Sequence, residues 1–368
     1  MQRGRARDHG VVIGIRPTAP LNAITDVAGV RVGHHTVSHE ARGDRGPART
    51  GVTSVFPHEG LPWDAPVYVG THVLNGYGEI IGINQLDEWG ILASPIVMTS
   101  SLAIGKAYDA TVKWFVQRDP SGTADDAVMP VVTECDDSYL SDPLAFLLSD
   151  EDVWAALDAA TTGPVTEGCV GSGTGMQCFD FKGGIGTSSR VIPQQAGGYV
   201  VGALVMTNYG DRPELRIDGV PVGRELTDLM PGTHSEGSCV VVVATDAPML
   251  PHQVRRLARR AALGLARTGS TANNGSGELM LAFSTATKLP HPKEAPEIDV
   301  RAIVDGSAWD GVGVHSELFG ATVEAVEEAV INALFAAETT LGRDGSVLHA
   351  LPIDRTLEVL NRHGHLVG

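Results

Sequence analysis

The sequence predicts an α/β protein in which sheets are layered with helices, and three observations carry that reading. Short apolar runs of β type, each closed by Gly, Pro or Asp, recur along the chain. Two segments toward the carboxyl end have the 3.6-residue apolar periodicity of helices that must cover a sheet. No internal repeat and no Pro/Ser-rich linker divides the chain, so its weight falls on one large layered domain.

In chain order, residues 27–36, 51–56 and 91–98 read as strands, each bounded by turn formers. Residues 100–117 and 142–160 carry Ala, Leu and Trp at helical spacing, and Ser149-Asp150 supplies a helix start. From 168 to 190 the chain reads GCVGSGTGMQCFDFKGGIGTSSR, loops that feed central strands, followed by an apolar run at 199–207. After Gly237 comes the strand-like SCVVVVATDAP. A helix at 251–267 follows, with Val254, Leu257, Ala261 and Leu265 on one face and Arg255, Arg256, Arg259 and Arg260 elsewhere. A polar loop, TGSTANNGSG, leads to another apolar run, ELMLAFSTAT. The last helix is expected at 321–341, with Val323, Val326, Val330, Leu334 and Ala337 on one stripe and Glu324, Glu327 and Glu328 off it.

Composition excludes several classes of function. The 368 residues are 43% apolar and 19% charged, an ordinary globular balance. Lys+Arg 27 against Asp+Glu 44 leaves a net charge of −17, a field that repels phosphate backbones and anionic headgroups. Nucleic acid and membrane are therefore not expected as partners. No apolar run reaches the roughly 20 residues that span a bilayer, and the first residues, MQRGRARDHGVV, have charge but no apolar core of a signal peptide. A cytoplasmic location is the expectation. Cys135, Cys169, Cys178 and Cys239 have no C-x-x-C spacing and read as buried or incidental thiols.

Candidate chemistry narrows to serine. His34, His35 and His39 cluster without an H-E-x-x-H motif or a carboxylate at ligand spacing, so no metal and no other cofactor is expected. Gly171, Gly173 and Gly175 look like a phosphate loop, but the G-K-[ST] ending is missing and Met176 breaks the dinucleotide register. There is no G-x-S-x-G elbow. Gly237-Ser238 stands directly before a five-residue apolar run. A serine there is ordinarily a turn residue, yet cutting the bond before Ser238 would place a free α-amine beside its own hydroxyl. An α-amine has a reference pKa of about 7.7–8.0, so near neutrality it acts as a base and no histidine is required. Glycine before the serine suits a strained linkage whose carbonyl is open to attack. Ser276 and Glu278, two apart at a strand start, can share one face and relay a proton or orient an amine. Asn208, at the end of an apolar run, can aim its amide at an oxyanion. Each of these also has an ordinary reading as a turn residue.

In this arrangement the chain resembles the L-aminopeptidase/D-amidase-D-esterase and β-aminopeptidase family, self-processing enzymes related to the nylon-oligomer hydrolases. The matching segments run almost end to end. They include LNAITDVAGVRVGHHTV, VLNGYGE, VVTECDDSYLSD, LVMTNYGDRPELRIDGVPVG, VVVATDAPMLPHQVRRLARRAALGLARTGST, SGELMLAFST and EAVEEAVINALFAAETTLG. The resemblance implies a four-layer α/β/β/α sandwich, similar to N-terminal-nucleophile hydrolases but differently connected. It implies cleavage at Gly237-Ser238 into segments 1–237 and 238–368 that stay one folded unit, and a tetramer of such units. It casts Ser238 as nucleophile and base, Ser276 and Glu278 as holders of its amine and hydroxyl, and Asn208 as oxyanion donor. Glu134 would bind the free amino group of a small peptide or amino-acid amide. Some members carry a tyrosine two residues after that glutamate; here Asp136 stands there and Tyr139 is out of register. Asp136 and Asp137 add negative charge beside Glu134, which favours a cationic amine. The reaction implied is acyl transfer to water; an acyl-transferase that uses an amine acceptor, and an uncut amine-binding homologue, are the alternatives.

Overall fold

The computed structural model describes residues 2–120, 127–232, 237–290, 295, 297–309 and 311–366. The first half supplies β1 (Arg31–His39), β2 (Ala48–Phe56), β3 (Val67–Gly76), β4 (Ile80–Ile81), β5 (Ile91–Leu92), β6 (Ile96–Ser100) and β7 (Val131–Cys135). Its helices are α1 (Ile83–Trp89), α2 (Ile104–Arg118) and α3 (Asp150–Asp158). There follow a short hairpin, β8 (Gln177–Cys178) and β9 (Phe181–Lys182), then β10 (Ile185–Val191), β11 (Val200–Asn208), β12 (Ser238–Thr245) and β13 (Gly277–Lys288). Helices α4 (Pro251–Arg267), α5 (Val314–Ala336) and α6 (Ile353–Arg362) complete the main elements.

Two main sheets result, ordered β1-β2-β6-β7-β4 and β10-β11-β12-β13-β3-β5. Alternation along the strands decides what each face touches. On β12, Val240, Val242 and Ala244 join Val55, Met98 and Val131 of the other sheet in a core between the sheets. Cys239, Val241 and Val243 join Leu257, Ala261, Val326 and Val330 of α4 and α5. On the outer face of the first sheet, Val52, Val97 and Val132 meet Trp114, Phe115, Val153 and Leu157 of α2 and α3. The order of layers is therefore helix, sheet, sheet, helix, the sandwich the resemblance implies. β12 is buried on both faces, which is why it reads as an unbroken valine run.

Most pairs are antiparallel, but β6 with β7 and β12 with β13 are parallel. Each parallel pair is joined by a helix, α2 and α4 respectively, as a same-direction return requires. Three expectations change on folding. The run 91–98 splits between the sheets, because Ser94-Pro95 breaks the ladder and leaves β5 beside β3 and β6 beside β2. Of 142–160 only α3 is α-helical; Asp142 caps a separate turn at Pro143–Ala145, and Ser149 caps α3 through Asp152. α5 starts at Val314, seven residues early, and stops at Ala336 because Ala337 is extended. Its glutamates are not solvated: Glu324, Glu327 and Glu328 are buried against Arg16, Arg267, Arg7 and Arg190.

The glycine string packs rather than binds. Side chains at Gly173 and Gly175 would stand 2.5 Å from Ile185 N and 2.2 Å from Arg49 O. The buried Lys182 Nζ donates to the carbonyls of Gly173, Met176 and Gly183, which closes the loop against any phosphate.

Candidate active site

Strand direction gathers the serine-centred residues. Because β12 and β13 run parallel, their starts lie side by side, and Ser238 sits opposite Gly277. Because β11 runs against β12, its last residue meets the first of β12, and Asn208 sits opposite Ser238. Ser238 thus begins a strand with Asn208 on one neighbour and the Ser276–Glu278 segment on the other. It is 7% exposed. Gly237 does not adopt a left-handed backbone, so conformational strain is not what selects glycine here. Space is: a Cβ at Gly237 would fall 1.6 Å from Asn208 O.

Ser276 and Glu278 share one face, and Ser276 Oγ donates to Glu278 Oε1. Both are buried, and burial raises the Glu278 carboxyl against the opposing hydrogen bond from Ser276. The Asn75 side chain adds a second hydrogen bond to the Glu278 carboxylate. Ser276 and Glu278, together with Gly237, line a small cavity that also touches Asp211 and Asn273. Asn208 is fixed at both ends of its amide: Oδ1 accepts from Gln177 N at 3.0 Å and Nδ2 donates to Asp136 O at 2.9 Å. One Nδ2 hydrogen remains for another acceptor.

Glu134 comes from the other sheet. It lies near the end of β7, where parallel pairing sets it opposite Thr99 of β6. Its Oε1 accepts from Glu79 N at 2.9 Å and its Oε2 from Ser101 Oγ. Burial raises its carboxyl, partly countered by those two bonds. Glu134, Gly237 and Ser238 line one cleft of about 400 Å³, walled by Tyr77, Ile104 and Asp136. Among the described residues that cleft presents carboxylates beside a serine hydroxyl and no cationic side chain, an environment for an ammonium next to a carbonyl.

Sequence reasoning missed Ser101 and Tyr77. No spacing links Ser101 to Glu134; only the adjacency of β6 and β7 does. Tyr77 is exposed, in a glycine-flanked turn whose sequence gives no sign of the cleft. The two aspartates after Glu134 part company: Asp136 is exposed in the cleft, whereas Asp137 is buried and accepts from Ser100 Oγ at 2.8 Å. The negative charge expected of both at the cleft is thus supplied by Asp136. Tyr139 OH accepts from Gly232 N, away from the cleft. The histidines serve strand packing: His34 Nδ1 bonds Thr53 Oγ1, His35 bonds Asp152, and His39 bonds Glu40 O.

Comparisons with known proteins identify the family of the chain. The model of peptidase family S58 matches residues 22–348. The β-peptidyl aminopeptidase BapA of Sphingosinicella xenopeptidilytica is 41% identical, over 97% of this chain and 90% of its own length. Among solved structures, the L-aminopeptidase D-Ala-esterase/amidase of Ochrobactrum anthropi is described as a serine aminopeptidase and a variant of the Ntn hydrolase fold. It superposes with a TM-score of 0.92 at 43% identity, covering 99% of both chains. A Burkholderia sp. β-aminopeptidase superposes with a TM-score of 0.89 at 44% identity, covering 98% of this chain and 99% of its own.

Proposed function

Because the chain belongs to peptidase family S58 and is a serine aminopeptidase, we propose that it cuts itself before Ser238 and then releases amino-terminal residues from small peptides, amides or esters. One observation carries the reading. The Gly237–Ser238 linkage lies between Asn208 and the Ser276–Glu278 pair, and opens on the cleft that holds Glu134.

In the cut, Ser238 Oγ adds to the Gly237 carbonyl carbon and the amide becomes an ester. Water hydrolyses the ester, returning the hydroxyl and leaving the Ser238 α-amine free, with segments 1–237 and 238–368 as its products. In the catalytic cycle Glu134 holds the substrate ammonium and Ser238 Oγ attacks the neighbouring carbonyl while its own α-amine takes the proton. The second hydrogen of Asn208 Nδ2 and a backbone N–H stabilise the oxyanion. The protonated amine then delivers its proton to the leaving group, and water releases the acyl-enzyme. Ser276 and Glu278 orient the amine; the buried, hydrogen-bonded pair is suited to hold a cation once the new terminus protonates.

The reading extends to a cytoplasmic enzyme assembled as a tetramer of cut units, as the resemblance implies. Among the described residues no helix is long and apolar enough to cross a membrane. Mass spectrometry of the purified protein tests the central step: the expected result is a fragment beginning at Ser238, absent from Ser238→Ala, which stays whole and inactive. An intact wild-type chain that hydrolyses amino-acid amides at full rate would overturn it.

A further inference from the structure

Next to the cleft lies a second cavity, of about 150 Å³, that the proposed chemistry does not use. It is built from the same strand ends. Ser101 lines the cleft and donates to Glu134; Ser100 lines the second cavity and donates to Asp137, three residues along the chain from Glu134. Consecutive serines at the end of β6 and just past it are thus paired with one carboxylate in β7 and one just beyond it, one pair at each cavity.

The polar end of this cavity is a carboxylate flanked by two hydroxyls. Asp137 and Thr50 are each 3% exposed, and the side chains of both Thr50 and Ser100 hydrogen-bond the Asp137 carboxylate, leaving lone pairs on the two hydroxyl oxygens. Ser100 Oγ, having given its hydrogen to Asp137 Oδ1, keeps acceptor capacity. A carboxylate oxygen and two hydroxyl oxygens match the three donors of a primary ammonium. The rest of the wall is apolar, from Leu102, Ala103, Pro143, Phe146 and Leu148. An apolar cavity of roughly this volume holds a benzene-sized group. Of the other charged groups on the lining, Lys106 is held by Asp150 at 2.9 Å, and Asp142 accepts from Gly46 N and Leu144 N.

We propose that this cavity is a second amine site, selective for a primary ammonium carried on a compact apolar group about the size of a phenyl ring. It stands independently of the cut before Ser238. Calorimetric titration with benzylamine tests it, in a Glu134→Gln background that weakens amine capture in the cleft. Benzylamine is expected to bind that variant, and benzyl alcohol and benzyltrimethylammonium, which lack the charge or the N–H donors, to bind on the order of tenfold more weakly or worse. Adding Asp137→Asn should weaken benzylamine by a similar factor. Adding Ala103→Trp, which fills the cavity from its rim and leaves Asp137 in place, should abolish binding even if the Asp137 variant folds poorly. Loss of all binding with Glu134→Gln alone, equal affinity for the three probes, or full binding with Ala103→Trp would each overturn the proposal.

Discussion

At Asn208 a single side chain links strand geometry to chemistry. Its amide bridges Gln177 N and Asp136 O, so its orientation is set before substrate arrives, and one hydrogen is left to act. Removing one oxyanion donor typically costs about 10²–10³ in turnover. Asn208→Ala should therefore cut slowly and turn over amides at roughly that deficit, with KM little changed; steady-state kinetics on a fully processed sample measure it, and an undiminished kcat would remove Asn208 from the oxyanion role. Asp137 gives a stability prediction. Burial raises its carboxyl from 3.8 to about 6, so the folded chain binds a proton that the unfolded chain releases. Its favourable share of stability is present below the unfolded pKa and is lost as pH rises through about 6. Asp137→Asn should flatten that loss, by on the order of 2 kcal/mol between pH 4 and pH 7, as read by urea unfolding at both values. Ser276 and Glu278 were legible at this scale because a spacing of two at a strand start puts both on one face. Ser101 was not, because its carboxylate partner lies 33 residues away on another strand.

Between elements, the linkage proposed to react is placed by three strand ends, and glycine is what lets them meet. Gly237 passes so near Asn208 O that a methyl group would overlap it, and a Cβ at Gly277 would stand 2.5 Å from Tyr77 O. The obstacle at Gly237 is backbone rather than a mobile side-chain tip, so relief requires the end of β11 to move. Gly237→Ala is expected to leave the fold intact but to displace the scissile carbonyl from Ser238 Oγ. A denaturing gel over a time course should show a chain that stays largely uncut where the wild type is processed; wild-type cutting would show that the contact relaxes freely. The sequence reading placed glycine here for backbone strain, and the structure assigns a different cause. The β-bulge where β13 meets β3, between the pairs Glu278↔Asn75 and Leu279↔Val73, was equally invisible, since it depends on a partner strand some two hundred residues earlier. Valine-rich β12 and the amphipathic α4 were plain because each announces its environment within its own residues.

For the molecule as a whole, the decisive property is that the polypeptide on either side of residue 237 contributes strands to one sheet. β11 and β12 form an antiparallel ladder from Val201↔Thr245 to Asn208↔Ser238, and β13 pairs with β3. The helices of the last third close one face of a sheet that the first two-thirds begin and end. Ion pairs cross the same divide: Arg7 with Glu328 at 2.7 Å, Arg16 with Glu324 at 2.6 Å, and Arg190 with Glu328 at 2.6 Å. Periodicity sets Glu324 and Glu328 off the apolar stripe and leaves their burial unseen: their partners lie in the amino-terminal segment and β10, and no local pattern announces them. Breaking one member of a buried pair costs about 3–5 kcal/mol, because the survivor is left charged and unpaired. With a shared sheet besides, the segments 1–237 and 238–368 should remain together after processing. Native size-exclusion chromatography is expected to carry both fragments in one peak and thermal unfolding to show them melting together, with separation only in denaturant. Glu328→Ala should lower the melting temperature without preventing the cut, since its contacts lie with Arg7, Arg190 and Asn22 rather than at Ser238. Fragments that part in native buffer would mean that the sheet does not survive the cut as one unit, and that the residues Ser238, Asn208 and Glu134 are not held in register by the fold described.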